Sequence, residues 1–307
     1  MMDDEKFMRR CIQLAKNGQR NAKPNPMVGA VIVSADGRII GEGYHVRCGE
    51  GHAEVNAFAS VRPDDEVLLP EATVYVSLEP CSHYGKTPPC ADLIIRKGVR
   101  RVVVGCIDKF AEVQGRGIRK LREAGIDVEV GVLEAECQAL NRRFFTYHRE
   151  QRPYIILKWA QTANGFIDDH FKPVQISNDF TKMLSHKLRA EEDAILVGRV
   201  TEERDHPQLT VREWRGQNPK RLVIDRSHPL NLESLHAHNI QSLIVEGGAQ
   251  TLNSFLKKGL WDEIRVETNL SMTVSDGTRA PQLPAEAIVI GKQRYGDNQI
   301  VTYRRRS

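Results

Sequence analysis

The chain has 307 residues, 40% hydrophobic and 27% charged, the balance of a globular protein long enough for two domains. Its 44 Lys and Arg against 40 Asp and Glu leave a net charge of +4, interspersed along the length, which excludes a nucleic-acid-tracking basic stripe and leaves Arg304-Arg305-Arg306 as a solvated tail. No signal-peptide pattern and no membrane-length apolar run is visible, which predicts a cytoplasmic protein whose six cysteines are metal ligands or free thiols rather than a disulfide framework.

In chain order, residues 5–16 carry Phe7, Met8, Cys11, Ile12 and Ala15 on one side and predict an amphipathic helix stopped by Asn17-Gly18. Val28–Val33 reads as a strand, turned by Asp36-Gly37 into a second strand over Arg38–Gly43. A helix opens near His52 and runs to Val61, followed by a strand at Thr73–Leu78 and a helix at Cys90–Lys97 ending on Gly98. Arg101–Cys106 is a buried strand. A helix through Leu121, a strand at Asp127–Val132 and one helix over Glu134–Tyr147 complete the first half. The polar run His148 to Pro153 marks a boundary, giving domains 1–148 and 149–307. The second half has strands at Tyr154–Trp159, Ala194–Gly198, Arg221–Ile224, Ser242–Val245 and Glu263–Thr268. It has helices at Asp179–Ala190 and Thr251–Lys258, and a closing hairpin turned at Gly296-Asp297. The alternation predicts two α/β domains with sheets at least partly parallel.

The chemistry concentrates in His52-Ala53-Glu54 and in Glu79-Pro80-Cys81 with Cys90 further on. Three N and S donors suit zinc, and a fourth position left to water makes such a site catalytic. Zinc lowers the pKa of that water, and a carboxylate two residues from the first ligand can move protons without ligating. The pattern therefore predicts a hydrolytic deaminase of an amino-substituted pyrimidine-type ring, with His52, Cys81 and Cys90 as ligands and Glu54 as the proton shuttle. Two rival readings remain at this point. One is a nucleoside or tRNA deaminase. The other is a non-catalytic, zinc-stapled binding protein, for which His45, Cys48 or His83 would supply a fourth ligand. Cys11, Cys106 and Cys137 fall on apolar faces and read as core thiols.

Pro24-Asn25-Pro26-Met27-Val28-Gly29, Gly43-Tyr44-His45, His52-Ala53-Glu54-Val55 and the run from Leu78 to Cys90 through Gly85-Lys86-Thr87-Pro88-Pro89 resemble the bifunctional riboflavin biosynthesis deaminase/reductase family. The resemblance implies a cytidine-deaminase-like three-layer domain followed by a dihydrofolate-reductase-like domain. It implies Zn2+ and NADPH as cofactors, and a small phosphorylated substrate, 2,5-diamino-6-ribosylamino-pyrimidinone 5′-phosphate. That substrate is deaminated and then reduced from ribosyl to ribityl. Asn25, His45 and Lys86 match the family's contacts to the substrate in the first half. In the second half Lys158 matches a catalytic position, and Arg189, Leu209, Arg212 and Glu246 match substrate positions. Ala160, Thr201, Asp205, Gly247 and Gly248 match cofactor positions. No nucleic-acid or membrane partner is implied, and a homo-oligomer is expected.

Departures from the family pattern are Asp108-Lys109-Phe110-Ala111 after the buried strand, Thr162-Ala163-Asn164-Gly165, and Gln175-Ile176-Ser177 in place of an aromatic-led triplet. The largest is the short connection Arg226 to Ile244, where the family carries a longer α/β segment. Its loss predicts an exposed sheet edge or an uncovered core. It also keeps open a reading as a deaminase whose shortened second domain is inactive.

Overall fold

The computed structural model describes residues 3–82, 88–108 and 115–306. They divide into two units, Met1–Arg149 and Glu150–Ser307. No described helix is long and apolar enough to cross a membrane.

The first unit is built on β1 (Gly29–Val33), β2 (Ile39–Tyr44), β3 (Thr73–Leu78), β4 (Arg101–Cys106) and β5 (Asp127–Val130), in spatial order β2-β1-β3-β4-β5. β1 runs antiparallel to β2 and β3, whereas β3, β4 and β5 are mutually parallel. Their Val- and Ile-rich runs are buried on both faces, as strands covered by helices on each side must be. One face, with Ile32, Val74, Val76, Val102 and Val104, packs against α2 (Ala53–Ala59), α3 (Cys90–Lys97) and α4 (Arg116–Glu123). The other, with Val31, Tyr75 and Val103, packs against α1 (Asp4–Ala15) and α5 (Glu134–Leu140). The result is three layers.

α1 begins where Asp3 accepts a hydrogen bond from Lys6 N at 3.2 Å. Its Asp4 carboxylate is gripped by both Nη atoms of Arg101 at 2.9 Å and by the Tyr75 hydroxyl at 2.6 Å, which fastens the helix to β3 and β4. The single helix expected over 134–147 is two, α5 and α6 (Arg142–Glu150), broken at Asn141. That side chain takes a hydrogen bond from Met27 N and gives one to Met27 O, both at 2.8 Å. A tertiary tie thus overrides local helix propensity.

The second unit carries β6 (Tyr154–Thr162), β7 (Ala194–Gly198), β8 (Lys220–Ile224), β9 (Ser242–Val245), β10 (Glu263–Asn269), β11 (Ala287–Tyr295) and β12 (Asn298–Arg305). They form one sheet in the order β11-β12-β10-β6-β9-β7-β8, parallel from β10 to β8, with the β11–β12 hairpin antiparallel at the other end. α7 (Asp179–Glu191) places Leu188 against Ile156, Ile195 and Ile244 on one face. α10 (Ala249–Lys257) places Leu252 and Phe255 against Leu157, Leu196 and Val245 on the other. Two short helices escape the sequence reading, α8 (Arg199–Asp205) and α9 (Leu232–Ala237).

α9 lies inside the shortened Arg226–Ile244 connection. Its Leu235 is buried, and Leu230, Leu232 and Ile240 join the same cluster, so the core that the shortening threatened is covered. The edge is not. β8 pairs only with β7 among the described strands, and Val223 stays 41% exposed.

Candidate active site

His52 is the extended N-cap of α2, and Glu54 sits in that helix's first turn, buried. Cys81 follows β3 through Glu79-Pro80. Cys90 opens α3 behind the extended Pro89, a position where a helix N-terminus favours a thiolate. Three separate elements thus aim one donor each at a common point. His52 Nδ1 lies 3.5 Å from Cys81 Sγ and 3.3 Å from Cys90 Sγ, and the three donor atoms lie within 4.8 Å of one another. A tetrahedral ion about 2.3 Å from sulfur and 2.0 Å from nitrogen needs edges of roughly 3.5–3.8 Å, so donor set and spacing both fit zinc. Among the described residues this is the one such group of three. His83 and Lys86 lie outside the described residues, as does Phe110.

Cys90 N donates to Cys81 Sγ at 3.3 Å. The Cys90 thiol's hydrogen bond to Cys81, helped by His52, holds Cys81 down to about 4 against the opposing effect of burial. Cys90 is pushed up correspondingly. The hydrogen bond to Cys81 raises His52, with burial opposing. Burial raises the Glu54 carboxyl to about 7, and the Cys81 charge adds to it. A carboxyl poised near neutrality can both take and give a proton.

His45 is buried, edge-on to His52 at 5.3 Å between ring centroids. Its Nδ1 is 3.2 Å from the Gly51 carbonyl, which can only accept, so Nδ1 carries the hydrogen and Nε2 accepts from Asn25 Nδ2 at 3.2 Å. Both ring nitrogens are therefore used within the protein. This arrangement orients Asn25, whose amide oxygen has no partner among the described residues. Burial lowers the pKa of His45, which keeps it in that neutral form.

Two further anchors escape a reading of the sequence. Asn56 Nδ2 donates to Tyr44 O at 2.8 Å and to Gly51 O at 3.1 Å, fixing the loop that carries His45. The Glu79 carboxylate accepts from Gly115 N at 3.0 Å and Gly117 N at 2.9 Å, tying the cysteine loop to the start of α4. The Glu-Pro-Cys run was visible in the sequence, but its partner, with a spacing of 36 residues, was not.

In the second unit, Lys158 and Ala160 leave the same face of β6. Glu246, immediately after β9, accepts from Arg189 Nη2 at 2.6 Å and Nε at 3.2 Å. Burial alone would raise the Glu246 carboxyl, but Lys158 and Arg189 overcome it and hold it below its ordinary value. Leu209 is buried at φ 51°, an unusual backbone for leucine, and faces the Ile156 and Ile195 cluster. Arg212 is bonded to Thr210 Oγ1 at 3.3 Å.

Gly248 N, at the start of α10, donates to Thr201 Oγ1 at 2.9 Å. A Cβ on Gly247 would stand 2.7 Å from Thr251 Cβ, so only glycine leaves this strand-to-helix turn open. Such a turn, with backbone N–H groups at a helix start, fits a phosphate-bearing nicotinamide cofactor. Asp205 is held by Arg204 at 2.7 Å, and the Gln175 side chain donates to Ser177 O at 3.4 Å.

The family described as the cytidine and deoxycytidylate deaminase zinc-binding region matches residues 1–106. The RibD C-terminal domain matches residues 153–233 and 228–269, two pieces that meet at the shortened connection. The riboflavin biosynthesis protein RibD of Aquifex aeolicus is 37% identical over 335 residues, covering 94% of this chain and 90% of the relative. That of Bacillus amyloliquefaciens is 33% identical, covering 91% and 87%. The crystal structure of a diaminohydroxyphosphoribosylaminopyrimidine deaminase/5-amino-6-(5-phosphoribosylamino)uracil reductase from Thermotoga maritima superposes with a TM-score of 0.89 at 34% identity, covering 98% of each chain. A chain with this two-part fold and these relatives belongs to the RibD family of riboflavin biosynthesis, bifunctional enzymes that join a zinc-dependent deaminase to an NADPH-dependent reductase.

Proposed function

We propose that His52, Cys81 and Cys90 hold the zinc and that Glu54 carries protons during removal of the 2-amino group from a diaminopyrimidine ribosyl phosphate. The observation that carries this reading is the three-donor triangle with the buried Glu54 carboxyl in the same helix turn as His52. Zinc, when bound, lowers the pKa of a water molecule so that it attacks near neutral pH. Glu54, whose carboxyl is raised by burial, takes a proton from the nucleophile, passes one to the ring nitrogen and helps ammonia leave. Asn25, steadied by His45, meets the pyrimidine edge through its amide oxygen. Lys86, by the family match, meets the phosphate.

In the second half, NADPH supplies a hydride when bound. Gly247, Gly248, Thr201, Asp205 and Ala160 line its side of the cleft. Lys158, Glu246 and Arg189, with Leu209 and Arg212, hold the ribosyl chain and its phosphate, Lys158 nearest the reacting carbon. The helix-covered core beneath the shortened connection supports a working reductase rather than a vestige. The open β8 edge supports a homo-oligomer, which light scattering of the purified chain tests.

Glu54→Gln should retain stoichiometric zinc while ammonia release falls by about 10²–10⁴-fold. Lys158→Ala should stop NADPH oxidation with the deaminated product. Full ammonia release by Glu54→Gln would refute the proton-shuttle role.

A further inference from the structure

Lys158 on β6 and Arg265 on β10 are register partners in adjacent parallel strands, so their side chains leave the same face of the sheet. Leu157 pairs with Val245 on the other side, which makes Glu246 the next member of this row, level with the carboxyl end of β9. Ligand crevices of parallel sheets open at such ends.

Arg189 comes down from α7 and occupies both Glu246 oxygens. The Lys158 ammonium and the Arg265 guanidinium both remain within electrostatic reach of Glu246. Yet among the described residues neither has a hydrogen-bond partner or an ion pair. Arg265 is partly buried, and that burial draws its pKa down against the opposing charges of Glu267, Glu263 and Glu191. Those three acids are engaged elsewhere. Glu267 takes Ser177, Thr181 and Asn298, Glu263 takes the Tyr154 hydroxyl, and Glu191 pairs with Lys187. A partly desolvated guanidinium whose donors meet no protein acceptor among the described residues is free to take an anionic ligand, and its planar fork suits a pair of phosphoryl oxygens.

We infer that Arg265 is a specificity residue of the reductase site, donating through its guanidinium to the phosphoryl oxygens of the substrate's ribose phosphate. This rests on reading the Lys158–Glu246 row as the reductase cleft. The cofactor carries phosphoryl oxygens too, so the test separates the two sources.

The test measures calorimetric binding to the full chain, wild type and Arg265→Met, of three probes: the deaminated pyrimidine ribosyl phosphate, its dephosphorylated counterpart, and NADPH. The first half is the same in both proteins, so any difference belongs to the second. Arg265→Met should bind the phosphorylated probe about 10–100-fold more weakly. Its affinities for the dephosphorylated probe and NADPH should stay within about threefold, so the preference for phosphate collapses. Arg265→Lys, which keeps the charge and loses the fork, should fall between. Ligand-free Arg265→Met should melt close to wild type, because no hydrogen bond or close ion pair of the described residues is removed. An undiminished phosphate preference in Arg265→Met overturns the inference. So does a tenfold loss of NADPH affinity with substrate affinity intact, which would give the guanidinium to the cofactor. A wild-type chain that binds neither pyrimidine probe nor NADPH would sink the reading of the cleft and this inference with it.

Discussion

Substituting Gly43 by alanine tests how rigidly β2 sets the metal triangle. A Cβ at that position would lie 2.5 Å from Ala53 O and 2.7 Å from Asn56 C, and would also meet Ala57 N. All three are backbone atoms of α2 or its first turn, so no rotamer change relieves the clash. Ordinary van der Waals contact begins near 3.4 Å, so α2 must retreat by roughly 1 Å, at a strain of about 1–3 kcal/mol. That helix carries His52 at its cap and Glu54 in its first turn, whereas Cys81 and Cys90 hang from β3 and α3 and stay behind. Zinc sites tolerate deviations of only about 0.2 Å in ligand distance, so a 1 Å displacement of one corner should weaken zinc binding at least about tenfold. Chelator competition on the purified chain reads the affinity. Thermal unfolding reads the strain as a fall of roughly 3–10 °C. Unchanged zinc affinity in Gly43→Ala would show that the triangle is not set by the β2–α2 contact, and the reasoning would fail.

Cys81→Ser should lose the metal under the same chelator conditions that leave wild type loaded, as measured by elemental analysis. In chelated protein, Glu54 binds its proton up to about 7 when folded against 4.5 when unfolded. Its contribution to stability is therefore intact below 4.5 and lost as pH rises to 7. Chelated Glu54→Gln should exceed wild type by roughly 3 kcal/mol above pH 7 and match it near pH 4, in urea titrations at the two pH values. Asp4 shifts the other way, held below its ordinary value chiefly by its hydrogen bond from Arg101. Asp4→Asn should cost about 1–2 kcal/mol at neutral pH, and the gap should close as pH falls through the lowered Asp4 value. Asn141→Ala removes two hydrogen bonds to Met27 and should destabilise the first unit by about 1–3 kcal/mol, with a raised KM for deamination because the Asn25 turn loosens.

How much of this was readable in the residues depends on the range of the forces involved. Thr73–Leu78, Cys90–Lys97 and Ala194–Gly198 run as their apolar patterns and flanking turns indicate, and Gly98 ends its helix in the left-handed conformation that glycine adopts cheaply. The grouping of His52, Cys81 and Cys90 was legible because ligand chemistry restricts residue types at fixed spacing. The break at Asn141 was not legible, since its cause is a partner 114 residues away. α8 and α9 were missed because six or seven residues carry too little periodicity to register. His45 looked like a ligand contact. In the fold its two nitrogens meet the Gly51 carbonyl and the Asn25 amide, neighbours that only three dimensions reveal. Arg265 reads in sequence as one more charge on an amphipathic strand. Only the register with β6 puts it beside Lys158.

The bond between Asn141 and Met27 sets the smallest piece of chain that can work as a deaminase. Every candidate zinc ligand lies before residue 106, where the zinc-binding signature ends. A fragment trimmed there would keep the ligands but drop the buckle that closes the Pro24–Met27 bend, together with the Gly115 and Gly117 amides that brace Glu79. Such a fragment should grip metal loosely and hold pyrimidine poorly, so a working deaminase fragment should extend at least through Asn141.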